Sequence, residues 1–116
     1  MALATLQEVL SIAVESNTAI PGFNIDNIEG IEAIMDAAEE EHCPVILTVG
    51  QGAIKAGQLE HLADLVKRIA RESTVPVVLH LDHGKNFDSC VAAIEGGYTS
   101  VMIDGSSLPF EENVEL

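Results

Sequence analysis

The feature that most constrains this chain is a set of unbroken apolar runs. Val45-Ile46-Leu47-Thr48-Val49, Val75-Pro76-Val77-Val78-Leu79-His80-Leu81 and Thr99-Ser100-Val101-Met102-Ile103 are nearly continuous in apolar residues rather than alternating. That pattern belongs to strands buried on both faces, as in a parallel sheet covered by helices. A shorter strand is expected over Ala19–Ile25, with Pro21 near its start, outside the ladder. The intervening stretches carry helical spacing: Leu6, Val9, Leu10, Ala13 and Val14; then Ile28, Ile31, Ile34, Met35 and Ala38; then Leu59, Leu62, Leu65, Val66 and Ile69; then Phe87, Cys90, Val91 and Ile94. The rhythm is a helix, three strand-helix units and a last strand. It predicts an α/β chain with about four parallel strands and helices outside.

Local signals place the boundaries. Thr5-Leu6-Gln7-Glu8 is a capping box, and Asp26-Asn27-Ile28-Glu29 reads as a second one. Pro44 stops the second helix, Asn86 caps the last one, and Gly96-Gly97 closes it. Gly50-Gln51-Gly52 reads as a tight turn, since a lone G-x-G is a weak phosphate signal. Glu39-Glu40-Glu41 stands at the wrong end of its helix for the dipole and reads as solvated surface. Lys67, Arg68 and Arg71 complement the dipole of theirs. Phe110-Glu111-Glu112-Asn113 begins a further element.

Composition narrows the class. The chain has 116 residues, 47% of them hydrophobic, enough for one small core. Aromatics are only 3%, so the core is expected to be aliphatic. Nineteen acids against five bases give a net charge of −14. Nucleic acids and anionic membranes are recognised by clustered Lys and Arg, so neither is the expected partner. Cys43 and Cys90 lack metal-type spacing and read as small buried residues of a reducing compartment. Met1-Ala2-Leu3-Ala4 has no basic region and no apolar span, and a cytoplasmic protein is expected.

Polar residues gather at one end of the strands: Asn24 after the first, Asp82 and His83 after the third, Asp104 after the fourth. This is the C-terminal edge, where (β/α) barrels and open α/β sheets carry their sites. Two readings of Asp82-His83 stand side by side: a capped strand end with a satisfied histidine, or a site. Strand alternation would send the two side chains in different directions, one toward a metal and one toward a substrate. Gly84 lets the backbone turn or approach a ligand closely. His80, inside the strand, reads as a packed, hydrogen-bonded histidine, and His42 and His61 as surface residues.

Pro21-Gly22-Phe23-Asn24, His80-Leu81-Asp82-His83-Gly84 and Ser100-Val101-Met102-Ile103-Asp104-Gly105-Ser106, followed by Pro109-Phe110-Glu111-Glu112-Asn113, resemble in order and spacing the class II, metal-dependent ketose-bisphosphate aldolases. The resemblance covers nearly the whole chain. It implies the first half of a TIM (β/α)8 barrel, with residues 1–116 as the N-terminal half and the remainder absent from this chain. It implies zinc-dependent cleavage of a fructose or tagatose 1,6-bisphosphate to dihydroxyacetone phosphate and glyceraldehyde 3-phosphate, by an enzyme of sugar metabolism that is usually a homo-oligomer. By the same resemblance His83 is a ligand of the catalytic Zn2+. Asp82 handles the proton of the hydroxyl at the cleaved bond, Asp104 serves a second divalent metal position, and Asn24 contacts substrate. The residue types suit the chemistry: imidazole binds zinc, a Lewis acid stabilises the charge left by retro-aldol cleavage, and a nearby carboxylate shuttles a proton.

Two departures from that family's pattern stand out. A (β/α)8 barrel needs about 250 residues, and the family's other zinc histidines would lie beyond Leu116, so these 116 residues alone are expected to be inactive. At Gly50 the family usually has Ser or Thr, which puts substrate affinity in question. The competing readings are a non-catalytic half-barrel that self-associates or binds a partner, and a metal-dependent hydrolase on a similar barrel.

Overall fold

The structure, a computed structural model, describes residues 3–116. Met1 and Ala2, part of the N-terminal stretch read above for targeting signals, lie outside the described residues. The order of elements is α1 (Leu6–Glu15), β1 (Gly22–Asn24), α2 (Ile28–Glu40), β2 (Val45–Val49), α3 (Gln51–Lys55), α4 (Leu59–Glu72), β3 (Val77–Gly84), α5 (Phe87–Gly96), β4 (Ser100–Ile103) and α6 (Phe110–Glu115). The four strands form one parallel sheet in the order β1-β2-β3-β4. Each strand thus lies beside its sequence neighbour, as successive units of a (β/α) barrel do.

Alternation along the strands divides the core into two faces. Val45, Leu47 and Val49 of β2 and Val77, Leu79 and Leu81 of β3 pack with Ile31, Met35, Leu62, Val66 and Ala93 of the helices. Burying each of these Val and Leu side chains contributes about 1.5–3 kcal/mol. Ile46 and Val78 point to the other face and meet Val9 of α1, which lies across the N-terminal end of the sheet. The core is aliphatic apart from Tyr98, which is buried and donates its hydroxyl to the Leu59 carbonyl at 3.0 Å.

The ends follow local chemistry, with corrections. The Thr5–Glu8 capping box forms in both directions. The second helix is capped by Asn27 rather than Asp26: Asn27 Oδ1 accepts from Gly30 N at 2.8 Å, and the helix starts one residue later than the box pattern implied. Asn86 caps α5 by accepting from Ser89 N, and Gly97, at φ 95°, ends it in the left-handed region where a side chain would be strained. Gly50-Gln51-Gly52 is not a plain turn, because Gly50 is the N-cap of the short helix α3 and Ala53 anchors that helix in the core.

Three burial expectations also change. On α1, only Val9 and Ala13 are buried, whereas Leu10 and Val14 are exposed. Cys43 is exposed, and only Cys90 is buried. Glu39 is no idle surface acid. Its carboxylate accepts from Ser73 Oγ at 2.7 Å, Thr74 N at 2.8 Å and Thr74 Oγ1, and so clasps the end of α2 to the α4–β3 turn. These donors, the two hydroxyls foremost, hold its pKa down to about 2. Among the described residues no helix is long and apolar enough to cross a membrane.

Candidate active site

The site grows from the sheet face opposite the large helices. Parallel register sets Gly22, Ile46 and Val78 side by side, an apolar row that Val9 covers from below. Two residues further along, the same register aligns Asn24, Thr48, His80 and Ser100 across all four strands. This polar row is internally bonded. Thr48 Oγ1 donates to Asn24 Oδ1 at 2.5 Å, and His80 Nδ1 stands 2.7 Å from Ser100 Oγ. Asn24 itself is exposed. His80 is the packed, hydrogen-bonded histidine expected inside the strand, and burial pushes its pKa down against the opposing pull of Asp82.

Above that row β3 departs from regular pairing. Leu81 pairs with Val101 and Gly84 with Ile103, so β3 carries one residue more than β4 over this interval. Such a bulge bends the strand and re-aims a side chain. His83 takes the extra conformational demand with φ 54°, which costs about 1–2 kcal/mol for a residue with a Cβ. The alternation expected for Asp82 and His83 is therefore overturned. Asp82 Oδ2 lies 3.7 Å from His83 Nε2, and Asp82 Oδ1 lies 3.9 Å from His80 Nε2. The acid stands between two imidazoles on one rim.

Asp104, at the end of β4, holds the His83 ring. Its Oδ2 is 2.7 Å from His83 Nδ1, its Oδ1 accepts from Ser106 N at 2.9 Å, and its own N–H donates to Gly84 O at 2.8 Å. Bonds from Ser106 and His83 hold the Asp104 carboxyl far below the usual range, so it is ionised and can only accept. Nδ1 must then carry the proton of a neutral His83, leaving Nε2 as the lone-pair nitrogen. The bond to Asp104 and the charge of Asp82 raise the His83 pKa. Gly84 is required here by space: a Cβ would lie 2.9 Å from Cys90 Sγ and from the Met102 carbonyl.

Sequence reasoning missed Gln51 and Thr48. Gln51, first residue of α3, donates from Nε2 to the carbonyl of His83. Thr48 is the buried polar member of an otherwise apolar strand, and that single hydroxyl was the available signal. Gly50 lies at the mouth, with open space where a side chain would project. His42 and His61 are exposed, away from this cluster.

A metal can be tested against this donor set. His83 offers one imidazole nitrogen, oriented from behind by a carboxylate as metal-binding histidines commonly are. Among the described residues no group of three or more His, Cys, Asp and Glu is placed to hold an ion. The chain thus fits one position of a metal site and does not complete one.

A parallel sheet whose C-terminal rim carries an acid between two imidazoles defines an α/β protein of the kind that hosts active sites on that edge. Residues 4–116 match the family model described as fructose-bisphosphate aldolase class-II. The chain is 47% identical to a fructose-bisphosphate aldolase of Geobacillus stearothermophilus, covering all of this chain and 42% of that protein. It is 49% identical to a probable fructose-bisphosphate aldolase of Bacillus subtilis, covering 98% of this chain and 41% of that one. The crystal structure of the YdjI aldolase from Escherichia coli K12 superposes with a TM-score of 0.90 at 35% identity, over 98% of this chain and 44% of that one. The chain belongs to the class II fructose-bisphosphate aldolase family, and its four strands are laid out as in the N-terminal part of that family's barrel. It spans about 42% of the length of its relatives.

Proposed function

We propose that residues 1–116 supply the N-terminal half of a single catalytic barrel that cleaves a ketose 1,6-bisphosphate, fructose or tagatose, into dihydroxyacetone phosphate and glyceraldehyde 3-phosphate, and runs the reverse condensation. The observation that carries this reading is the placement of Asp82 beside the open Nε2 of His83 on the C-terminal rim. Asp82 accepts the proton of the hydroxyl at the cleaved bond and returns it in condensation. His83 presents Nε2 as one ligand of a catalytic zinc, and Asp104 fixes the tautomer that makes this possible. Zinc, when bound, supplies Lewis-acid polarisation of the substrate carbonyl. A second divalent ion at Asp104 would have to compete with His83 and Ser106 for its oxygens. Asn24, its carbonyl taken by Thr48, keeps its amide N–H groups for substrate oxygens.

The remaining zinc ligands and the phosphate-binding loops belong to the other half of the barrel in this reading, so the 116 residues alone are inactive. In this reading the exposed edge strand β1 is available to pair with a strand of the other half. The whole protein is proposed to be a cytoplasmic homo-oligomer of carbohydrate metabolism, acting in glycolysis, with a phosphorylated ketose as its partner and neither nucleic acid nor membrane.

The test is to purify the full natural chain, load it with zinc and assay both bisphosphates. Turnover of about 1–10³ s⁻¹ is expected. No cleavage of either by the zinc-loaded protein overturns the reading.

A further inference from the structure

We propose that Gln51 is a positioning residue for this site: its carboxamide holds the main chain of the β3 bulge at His83 and so sets where the His83 imidazole stands. The functional half of this inference rests on the aldolase reading above; the structural half does not.

Among the described residues, His83 is one of three with a side chain that adopt positive φ, and the only one of those three on a strand. The other two, Asn17 and His42, sit in turns after helices. A residue in that region returns to extended geometry unless its surroundings hold it. In extended geometry the His83 ring would leave the rim, because successive side chains of a strand point to opposite faces.

Two grips oppose that relaxation, and they come from opposite sides of β3. From β4, Asp104 holds the ring at Nδ1 and, through its own N–H, the carbonyl of Gly84. From the β2 side, Gln51 Nε2 donates to the carbonyl of His83 itself. A bulge leaves its extra residue unpaired in the ladder, and Gln51 provides a partner to that part of the chain. The Asp104 grip fixes the ring's hydrogen bond. The Gln51 grip acts directly on the His83 peptide group.

The donor is itself firmly mounted. Gly50 follows β2 directly, its carbonyl accepts from Ala53 N at 3.2 Å, and Ala53 is buried. Gln58 N donates back to Ala53 O at 2.9 Å, closing the C-terminal end of α3. The short helix therefore carries the Gln51 side chain from strand β2 to the bulge of strand β3, and no charge is involved.

The test uses the full natural chain, isotope-labelled, with zinc as the probe. In the wild type, a scalar coupling across the hydrogen bond from Gln51 Nε2 to the His83 carbonyl carbon is expected, and its absence overturns the proposal whatever any variant does. Gln51→Met keeps length and removes the donor; Gln51→Glu keeps shape and sets a carboxylate against the carbonyl. Both should move the His83 HN–Hα coupling away from its left-handed value, with the shifts of Tyr98, remote in the core, unchanged. Removing partners that orient a ligand typically costs 10–100-fold, and zinc affinity and kcat should each fall by about that much, with KM changed far less. Variants that stay folded and keep the wild-type coupling, zinc affinity and kcat overturn the inference. A wild type that neither binds zinc nor cleaves ketose bisphosphates defeats the aldolase reading instead, while the His83 couplings still decide the role of Gln51.

Discussion

His83 Nδ1 stands 2.7 Å from Asp104 Oδ2, across 21 residues of chain. His83 lies in β3 and Asp104 just past the end of the neighbouring strand β4, and the β3 bulge shifts the register between the two strands there. The pair leaves one imidazole nitrogen facing Asp82 and the rim. In the proposed reading the roles separate along this geometry: Asp104 orients, His83 presents Nε2, and Asp82 exchanges the proton.

Asp82→Ala in the full natural chain should lower cleavage by about 10²–10⁴-fold, the usual range for a positioned acid–base group. Zinc content should stay near normal, because Asp82 is not the group that presents the ligand nitrogen. Kinetics beside metal analysis checks this, and stoichiometric loss of zinc in this variant would reverse the assignment.

His83→Ala should lose zinc and activity together, with no full recovery on adding zinc. His80→Ala should keep zinc and lose stability instead. It removes the partner of the Ser100 hydroxyl in a part-buried row, and leaving such a group unsatisfied costs about 1–3 kcal/mol. Denaturant midpoints and metal content of the two variants should thus change in opposite patterns.

Gly84→Ala should destabilise the chain by about 1–3 kcal/mol, as over-packing does. The new Cβ meets Cys90 Sγ and the Met102 carbonyl, each at 2.9 Å. The double variant Gly84→Ala, Cys90→Ala should recover part of the loss, since the sulfur is removed while the β4 backbone stays. Full recovery would mean that the carbonyl contact is harmless.

Glu39 makes stability depend on acid pH. Its pKa is lowered in the fold to about 2 from 4.5 by Thr74 and Ser73. A depressed carboxyl pKa stabilises above the unfolded value, and that contribution is lost as pH falls from about 4.5 through about 2. Wild type should therefore lose more of its urea midpoint between pH 5 and pH 2 (~3 units, spanning this window) than Glu39→Gln does. Equal losses would show that the clasp is not the titrating element.

Much of this architecture was legible from local chemistry. Apolar runs and helical spacing report which segments pack, and caps such as Thr5 and Asn86 satisfy their own helix ends. Asn24, Asp82, His83 and Asp104 could be placed at the C-terminal ends of strands because strand direction follows from the parallel βα rhythm. The sequence by itself thus determined four parallel strands and which residues close their C-terminal ends, whereas the order of the strands in the sheet was implied only by the family resemblance.

Only the tertiary structure decided how those residues face one another. The alignment of Asn24, Thr48, His80 and Ser100 depends on the register of four separate strands. The turn of His83 toward Asp82 depends on an extra residue in β3 relative to β4, a property of neither strand alone. α3 is only five residues long and carries Gly52, a poor helix former, in its first turn, and its burial through Ala53 exists only against the packed sheet. Glu39 has its partners at Ser73 and Thr74, on a different helix-strand junction. Each of these features joins groups that local rules cannot relate, because their energies arise only once distant segments have been brought within hydrogen-bond reach.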